Sequence, residues 1–379
     1  DGIRDVERSR GLGDVYKRQP HAAYSVTSSI KQTVSKFSDK ILLWFSANGR
    51  HDLPWQQQST PYRTWVSEIM LQQTQVATVI PYFLRFTERF PTVTRLAAAD
   101  INLVLHLWTG LGYYARARNM HKAAQLIVKE YDGSFPTSLE DLEGLPGIGR
   151  STAGAIAALS MNLRAPILDG NVKRVLTRYF AIGGWPEQSS VKNELWGLAE
   201  NLTPLDKVAD YSQAIMDLGA TVCTRTNPSC PSCPIREECK AHKTATIQEY
   251  PGKKPKKALP IKSIYMLILQ NDLNEVLLEK RPPNGIWGSL YSLPESESLT
   301  GSPLLNKITV EGEKKVLEPI RHTFSHYHLD ISPIKMTART ETCEVSENDH
   351  WLWYPLDHSL EVGLAAPVKK LLSSLASNP

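Results

Sequence analysis

The chain has 379 residues, of which 22% are charged and 41% hydrophobic, and a formal net charge of +4. That length allows two or three domains with sizeable cores, and so small a charge excess permits a nucleic-acid partner without arguing for one. No apolar run approaches a membrane span, no apolar stretch near the N-terminus reads as a secretion signal, and the five cysteines point to metal or catalysis before disulfides.

Residues 1–29 mix Arg, Asp and Gly without periodicity. The arginines would suit a transit peptide, but Asp1, Asp5, Glu7 and Asp14 argue against one. The stretch is expected to be a non-native or disordered leader. From residue 30 to 250 helical periodicity dominates. Phe37, Ile41, Leu42 and Phe45 open an amphipathic helix, and the run from His51 to Trp55 breaks it. Tyr62, Trp65, Val66, Ile69 and Met70 form a second stripe, with Glu68 between its positions; taken alone, such a Glu faces solvent. Buried amides need partners, so Gln72, Gln73 and Gln75 are expected on a surface that meets something polar. Thr74 is the expected N-cap of the next helix. The run from Leu107 to Asn119, LWTGLGYYARARN, has two readings. Tyrosines beside Arg116 and Arg118 suit base stacking and phosphate contact, or they are core tyrosines and solvated arginines.

Leu145-Pro146-Gly147-Ile148-Gly149 is a tight turn between two helical patterns. Ser138 with Asp141 reads as a capping box ahead of Leu142 and Leu145. Ala153, Ile156, Ala157 and Ser160 recur on the far side. Gly147 and Gly149 let the backbone turn and approach another surface, and the free N–H groups that start the second helix can hold a phosphate. Asp169 lies eighteen residues after Ser151, in the loop Leu168-Asp169-Gly170-Asn171. A phosphate grip ahead of a carboxylate on a glycine loop suggests chemistry on a nucleic acid. The segment from Asp210 to Ala220 then leads to the cysteines.

Cys223, Cys230, Cys233 and Cys239 are separated by six, two and five residues, and Cys343 stands apart. Thiolates so spaced can hold zinc or an iron–sulfur cluster. Zinc ribbons usually bring two Cys-x-x-Cys knuckles, and here there is one; two disulfides are the third reading. Arg225, Arg236 and Lys240 beside them are candidate phosphate contacts. Residues 251–260 form a linker stiffened by proline and charged by lysine. From 261 to 379 short apolar runs, such as Ile264 to Leu269, alternate with polar turns and end in a helical pattern over Val368, Leu371, Leu372 and Leu375, an α+β domain. Phe324, His326 and His328 alternate with Ser325 and Tyr327 as in an ordinary strand.

Taken together, Glu68 with MLQQTQV, the GLGYYARARN run, the 145–149 turn, ILDGNVKRV around Asp169, the cysteine spacing and HTFSH from His322 to His326 resemble the MutY-type adenine DNA glycosylases of the helix-hairpin-helix, endonuclease III-like superfamily. RPPNGIWGSLY from Arg281 resembles the start of a Nudix-type domain, but the Glu-rich box that binds Mg²⁺ is missing: the stretch directly after Gly288, up to Val310, holds only Glu295 and Glu297, amid serines. Without those carboxylates the domain is expected to recognise rather than hydrolyse. The resemblance thus implies a multidomain chain: an all-α helix-hairpin-helix glycosylase domain at 30–250 with an Fe–S cluster loop at 223–239, plus an α+β Nudix-like C-terminal domain at 261–379.

It further implies removal of adenine mispaired with 8-oxoguanine or guanine in double-stranded DNA. Adenine leaves C1′ poorly as an anion and needs a proton, while the sugar becomes cationic and needs negative charge nearby, the two-carboxylate logic of glycosidases. On the family's pattern Glu68 is the general acid and water activator, Asp169 stabilises the cationic sugar, and Asn171 and Ser151 line the site. The base must also be flipped out of the stack. Gln73 and Tyr113 are the expected wedge, Gln213 touches the extruded adenine, Gly147 and Gly149 grip the phosphate, and Phe324, Ser325 and His326 sense 8-oxoguanine. Cys223, Cys230, Cys233 and Cys239 carry a 4Fe–4S cluster. Bifunctional relatives place a Lys where this chain has Ser151, so a monofunctional hydrolase leaving an abasic site is expected, with Lys173 near enough to trap the product as a side reaction. The implied protein is a monomer of the bacterial cytoplasm, associated with the nucleoid and not with a membrane. Two rival readings are an enzyme of the same fold for another base, such as thymine, and a non-catalytic DNA-binding protein; retention of both carboxylates opposes the second.

Overall fold

The computed structural model describes residues 28–255, 258–298, 303–306, 308–339 and 350–377. Most of the stretch read as a leader, and Cys343, lie outside the described residues; residues 28 and 29 begin the first helix. The helical part runs α1 (Ser28–Asn48), α2 (Pro61–Leu71), α3 (Val76–Arg89), α4 (Val93–Ala97), α5 (Ile101–Trp108), α6 (Ala115–Tyr131), α7 (Leu139–Gly144), α8 (Arg150–Met161), α9 (Gly170–Phe180), α10 (Ser189–Leu202), α11 (Val208–Asp217) and the short α12 (Lys240–Lys243). Two apolar clusters organise it. Trp65, Phe83, Phe86, Trp108 and Ile127 centre the first, on α2 to α8. Phe37, Ile41, Leu176, Leu195 and Ile215 centre the second, on α1 and α9 to α11. The stripes on α1 and α2 are therefore core faces, as their spacing predicts, but they belong to different cores. Thr74 does not cap α3: Gln75 is the N-cap, without a side-chain bond, and the Thr74 hydroxyl donates to the Gln72 carbonyl at 3.3 Å.

The C-terminal part is a mixed sheet of β1 (Ile261–Gln270), β2 (Glu275–Lys280), β3 (Tyr291–Ser292), β4 (Glu295–Ser296), β5 (Val310–Val316), β6 (Ile320–Thr323), β7 (His328–Ala338) and β8 (Trp351–Pro355), followed by α13 (Ala366–Ser377). The strand order is β3-β2-β1-β7-β5, with β4 on β1, β6 on β7 and β8 on β2. β1 and β7 pair in parallel from Ile261 opposite His328 to Gln270 opposite Thr337. Side chains alternate across the sheet. Met266 and Ile268 join the cluster that continues into α2 to α8, while Leu267 and Leu269 face the other side. Phe324 to His326, whose alternation also suits a strand, form a turn between β6 and β7, closed by the Phe324 N–H donating to the Tyr327 carbonyl at 2.9 Å.

Candidate active site

α2 begins at Pro61, with the Thr60 hydroxyl capping the Arg63 N–H. Its apolar positions are consumed by the core, which leaves Glu68 on the wall of a cavity of about 430 Å³. Asp169 enters the same cavity from α9. It is the N-cap of that helix: one carboxylate oxygen accepts the Val172 N–H at 2.8 Å, and the other accepts Asn171 Nδ2 at 3.0 Å. Asp before Gly-Asn is a favoured cap, so the local sequence fixes the carboxylate without tertiary help. Asn171 Oδ1 in turn accepts Arg174 Nη2 at 2.8 Å, and Arg174 donates to the carbonyls of Gly219 at 2.6 Å and Cys223 at 2.7 Å.

Glu68 has no such support. Among the described residues it makes no hydrogen bond or ion pair, and burial, followed by the charge of Asp169, pushes its carboxyl up to about 8. Burial pushes Asp169 up as well, but the bonds from Val172 and Asn171 and the Arg174 charge pull it back. One proton on the pair therefore belongs to Glu68. Two carboxylates whose environments push them apart are the arrangement from which acid and counter-charge are assigned.

Gln213 and Asn171 line the cavity too. Behind Gln213 lies a network the sequence did not reveal. Gln213 Nε2 donates to Asp217 Oδ1 at 2.8 Å, and the fully buried Asp217 pairs with Arg50, whose backbone N–H reaches Oδ2 at 2.8 Å and whose Nε reaches Oδ1 at 3.0 Å. The Gln213–Asp217 spacing of four on a helix was the available signal. The Ser151 hydroxyl accepts the Leu168 N–H at 3.0 Å, next to Asp169 in the chain. Lys173 is held by Glu187, which also pairs with Lys192 at 3.3 Å.

The face that carries Gly147, Gln73 and Tyr113 is built from turns. Ser138 Oγ accepts the Asp141 N–H at 3.0 Å and starts α7. Gly147 has φ 81°, and a Cβ there would meet Asn119 Cβ at 2.9 Å, so both conformation and contact demand glycine. Gly149 is the N-cap of α8 and has no side chain to bond the helix's first N–H groups. Gln73 (φ 58°) and Tyr113 (φ 49°) are both left-handed and exposed. Their two loops are held together by Arg116, which donates to the carbonyls of Ile69 at 2.7 Å, Gln72 at 2.6 Å and Gly112 at 3.2 Å. Arg118 donates to the Gly288 carbonyl at 2.7 Å, across the domain boundary. Both half-buried arginines thus bond carbonyls of the protein itself, a role that neither reading of this run included. In the C-terminal part Phe324 leans on Trp287 and His322, and Ser325 and His326 are exposed at the turn.

Cys223, Cys230, Cys233 and Cys239 line one small cavity together with Arg178 and Arg236, and all four are free thiols. Arg178 Nη1 lies 3.4 Å from the Cys223 sulfur. Burial pushes the Cys233 thiol up to about 12. Among the described residues no three His, Cys, Asp or Glu side chains converge closely enough to hold one ion, and no helix is long and apolar enough to cross a membrane.

A glycine turn between two helices is thus followed by a capping aspartate that shares a cavity with an unbonded glutamate. Residues 66–201 match the HhH-GPD superfamily of base excision DNA repair proteins, and residues 264–374 match the NUDIX domain. The adenine DNA glycosylase of Buchnera aphidicola subsp. Schizaphis graminum (strain Sg) is 40% identical over 343 residues, 90% of this chain and 99% of that protein. The Homo sapiens adenine DNA glycosylase is 32% identical over 398 residues, 88% of this chain and 73% of that one. Among solved structures, a thermostable thymine-DNA glycosylase superposes with a TM-score of 0.51 at 25% identity, covering 57% of this chain and 99% of that chain. The chain belongs to the adenine DNA glycosylase family, enzymes of base excision repair whose partner is DNA.

Proposed function

We propose that this glycosylase hydrolyses the N-glycosidic bond of adenine mispaired with 8-oxoguanine or guanine and leaves an abasic site in an unbroken strand. The observation that carries the chemistry is the asymmetry of the two carboxyl groups in one cavity: Glu68 unbonded and raised to about 8, Asp169 bonded on both oxygens. Near neutral pH Glu68 then holds the proton that adenine N7 needs, and Asp169 supplies the negative charge that the cationic sugar needs. After giving up its proton, Glu68 can accept one from the water that attacks C1′. Asn171 holds Asp169 in place, and Gln213, braced by Asp217, meets the extruded base.

Gln73 and Tyr113 form the wedge on this reading, because both stand exposed on loops that Arg116 fixes. Gly147, Gly149 and the first N–H groups of α8 receive a phosphate. Ser151 offers no amine for a Schiff base, and Lys173 is engaged by Glu187, which supports simple hydrolysis. Residues 30–250 act as the catalytic domain, 251–260 as linker and 261–379 as the reader of the opposite base through Phe324, Ser325 and His326. Glu295, in the stretch directly after Gly288, is tied to Arg281 at 3.1 Å, which fits recognition rather than metal-dependent hydrolysis. We assign the enzyme as a monomer of the bacterial cytoplasm that associates with the nucleoid.

The four cysteines are proposed to hold a 4Fe–4S cluster. The residues fit it: four thiols around one cavity suit a multi-iron group better than one zinc, whose sulfurs must crowd to roughly 2.3 Å from a single centre. Bound there, the cluster would make the loop from Cys223 to Cys239 rigid. Purified protein should contain about four irons per chain, and Cys230→Ser should lose them; stoichiometric zinc would overturn the assignment. The test of the activity is release of free adenine from a duplex with one A:8-oxoguanine pair, with A:T as control. The product strand should break only after heating in base. Strand cleavage as fast as adenine release would sink the monofunctional mechanism.

A further inference from the structure

The start of α6 carries three anchors that point in different directions. Tyr114 Oη donates to the Leu364 carbonyl at 3.1 Å, Arg116 holds the Gln73 and Tyr113 loops, and Arg118 Nη1 donates to the Gly288 carbonyl. Gly288 sits in a loop bonded tightly to itself: Arg281 N–H donates to Leu290 at 2.8 Å, and Ser289 N–H donates to Pro282 at 3.1 Å. A Cβ at Gly288 would meet the Pro283 carbonyl at 2.5 Å, so the loop cannot relax around a larger residue. Its neighbour Trp287 is buried and packs its ring 5.4 Å from Phe324 and 5.6 Å from His322. Phe324 closes the turn that exposes Ser325 and His326. A continuous path of contacts therefore runs from α6 to the turn proposed to read the opposite base.

We propose that Arg118 is a positioning residue for substrate discrimination: by gripping Gly288 it fixes the Trp287 platform, and with it the Phe324–His326 turn, at a set distance from the wedge loops that Arg116 holds two residues earlier. Adenine and its opposite base are read by different domains joined through a short linker, so their spacing has to be set by contacts of this kind. Arg118 is half-buried, its charge opposed by burial, and among the described residues it has no carboxylate partner, so its carbonyl grip is the bond that fixes it. The inference rests on the proposed reading of the opposite base by the turn.

The experiment compares single-turnover adenine release from A:8-oxoguanine and A:G duplexes by the full chain, the Arg118→Met and Phe324→Ala variants, and the double variant. Arg118→Met should reduce the preference for 8-oxoguanine about tenfold, equivalent to ~1.4 kcal/mol, chiefly by slowing the A:8-oxoguanine reaction. The double variant should lose no more preference than Phe324→Ala alone, because the two act on one path. If Phe324→Ala keeps the preference, the reading of the opposite base by the turn fails. If Phe324→Ala loses it and Arg118→Met keeps it, only the positioning role of Arg118 fails. Additive losses in the double variant would also overturn that role. So would a uniform loss of affinity for all duplexes, A:T included, with a salt slope lower by about one, since that marks a phosphate contact. Should Arg118→Met fail to fold, Arg118→Lys serves instead: it keeps the charge, has a shorter reach, and should show a smaller loss of preference in the same direction.

Discussion

The catalytic cavity and the β6–β7 turn differ in how their polar groups are employed. In the cavity nearly every group already has a partner: Asp169 on Asn171 and Val172, Asn171 on Arg174, Gln213 on Asp217, Asp217 on Arg50. Of the two carboxyl groups Glu68 is the exception, without a bond among the described residues, and burial keeps its proton on. At the turn the relation differs: Ser325 Oγ lies 3.4 Å from His326 Nδ1, and among the described residues their side chains bond nothing in the body of the domain. Ser325 and His326 face solvent, and the support beneath them is aromatic packing by Trp287, His322 and Phe324. Chemistry needs fixed charges at the reacting atoms and low dielectric around them. Recognition needs free donors and acceptors on a firm base. On the proposed function one chain builds both, on an all-helical layer and on a mixed sheet.

Breaking the exception in the cavity should give the largest effect. Glu68→Gln keeps shape and reach but cannot deliver a carboxylic proton, so excision should fall ~10²–10⁴-fold. Binding to an A:8-oxoguanine duplex should stay within about tenfold. The parent enzyme's single-turnover rate should decline as pH rises through about 8, where Glu68 ionises; a rate still climbing past that point would contradict the acid role. Stability gives the sign independently. The folded pKa of Glu68 lies above its ordinary value of 4.5, so between 4.5 and about 8 the unfolded chain binds fewer protons, and stability falls with rising pH in that window. Glu68→Gln removes that burden and should melt higher than the parent at pH 7, with the gap closing toward acid.

The next largest effect should come from removing the turn altogether. A chain ended within residues 251–260 should still release adenine but no longer prefer 8-oxoguanine to guanine; a truncated enzyme with full preference would return the whole of recognition to the helical part. The smallest effect concerns neither region directly. Gly147→Ala forces a side chain into left-handed backbone against Asn119, which should cost DNA affinity several-fold on every duplex while leaving the ratio of A:8-oxoguanine to A:G rates intact. Equal affinity for parent and variant would remove the hairpin from the DNA face.

The sequence by itself determined the class of fold and much of the local structure. Helix stripes, the Ser138 cap and the turn at Gly147 are written in spacing and in residue type, because a helix face repeats every three to four residues and a left-handed turn admits little but glycine. Asp169 was legible for the same reason: it caps its own helix. Tertiary structure decided which stripes share a core and what the polar residues between them meet. Glu68 on its spacing alone is a solvent-facing residue; only the second core packed across from α2 encloses it. Arg116 and Arg118 suit nucleic-acid contact or solvent in one dimension and are also internal ties in three, because the carbonyls they reach include ones 44 and 170 residues away along the chain. The alternation through Phe324 suggested a strand, yet the register of β6 against β7 makes it a turn. Local rules fix what depends on neighbours in the chain; a side chain's proton, partner and exposure depend on neighbours in space, and those are set only when the layers close.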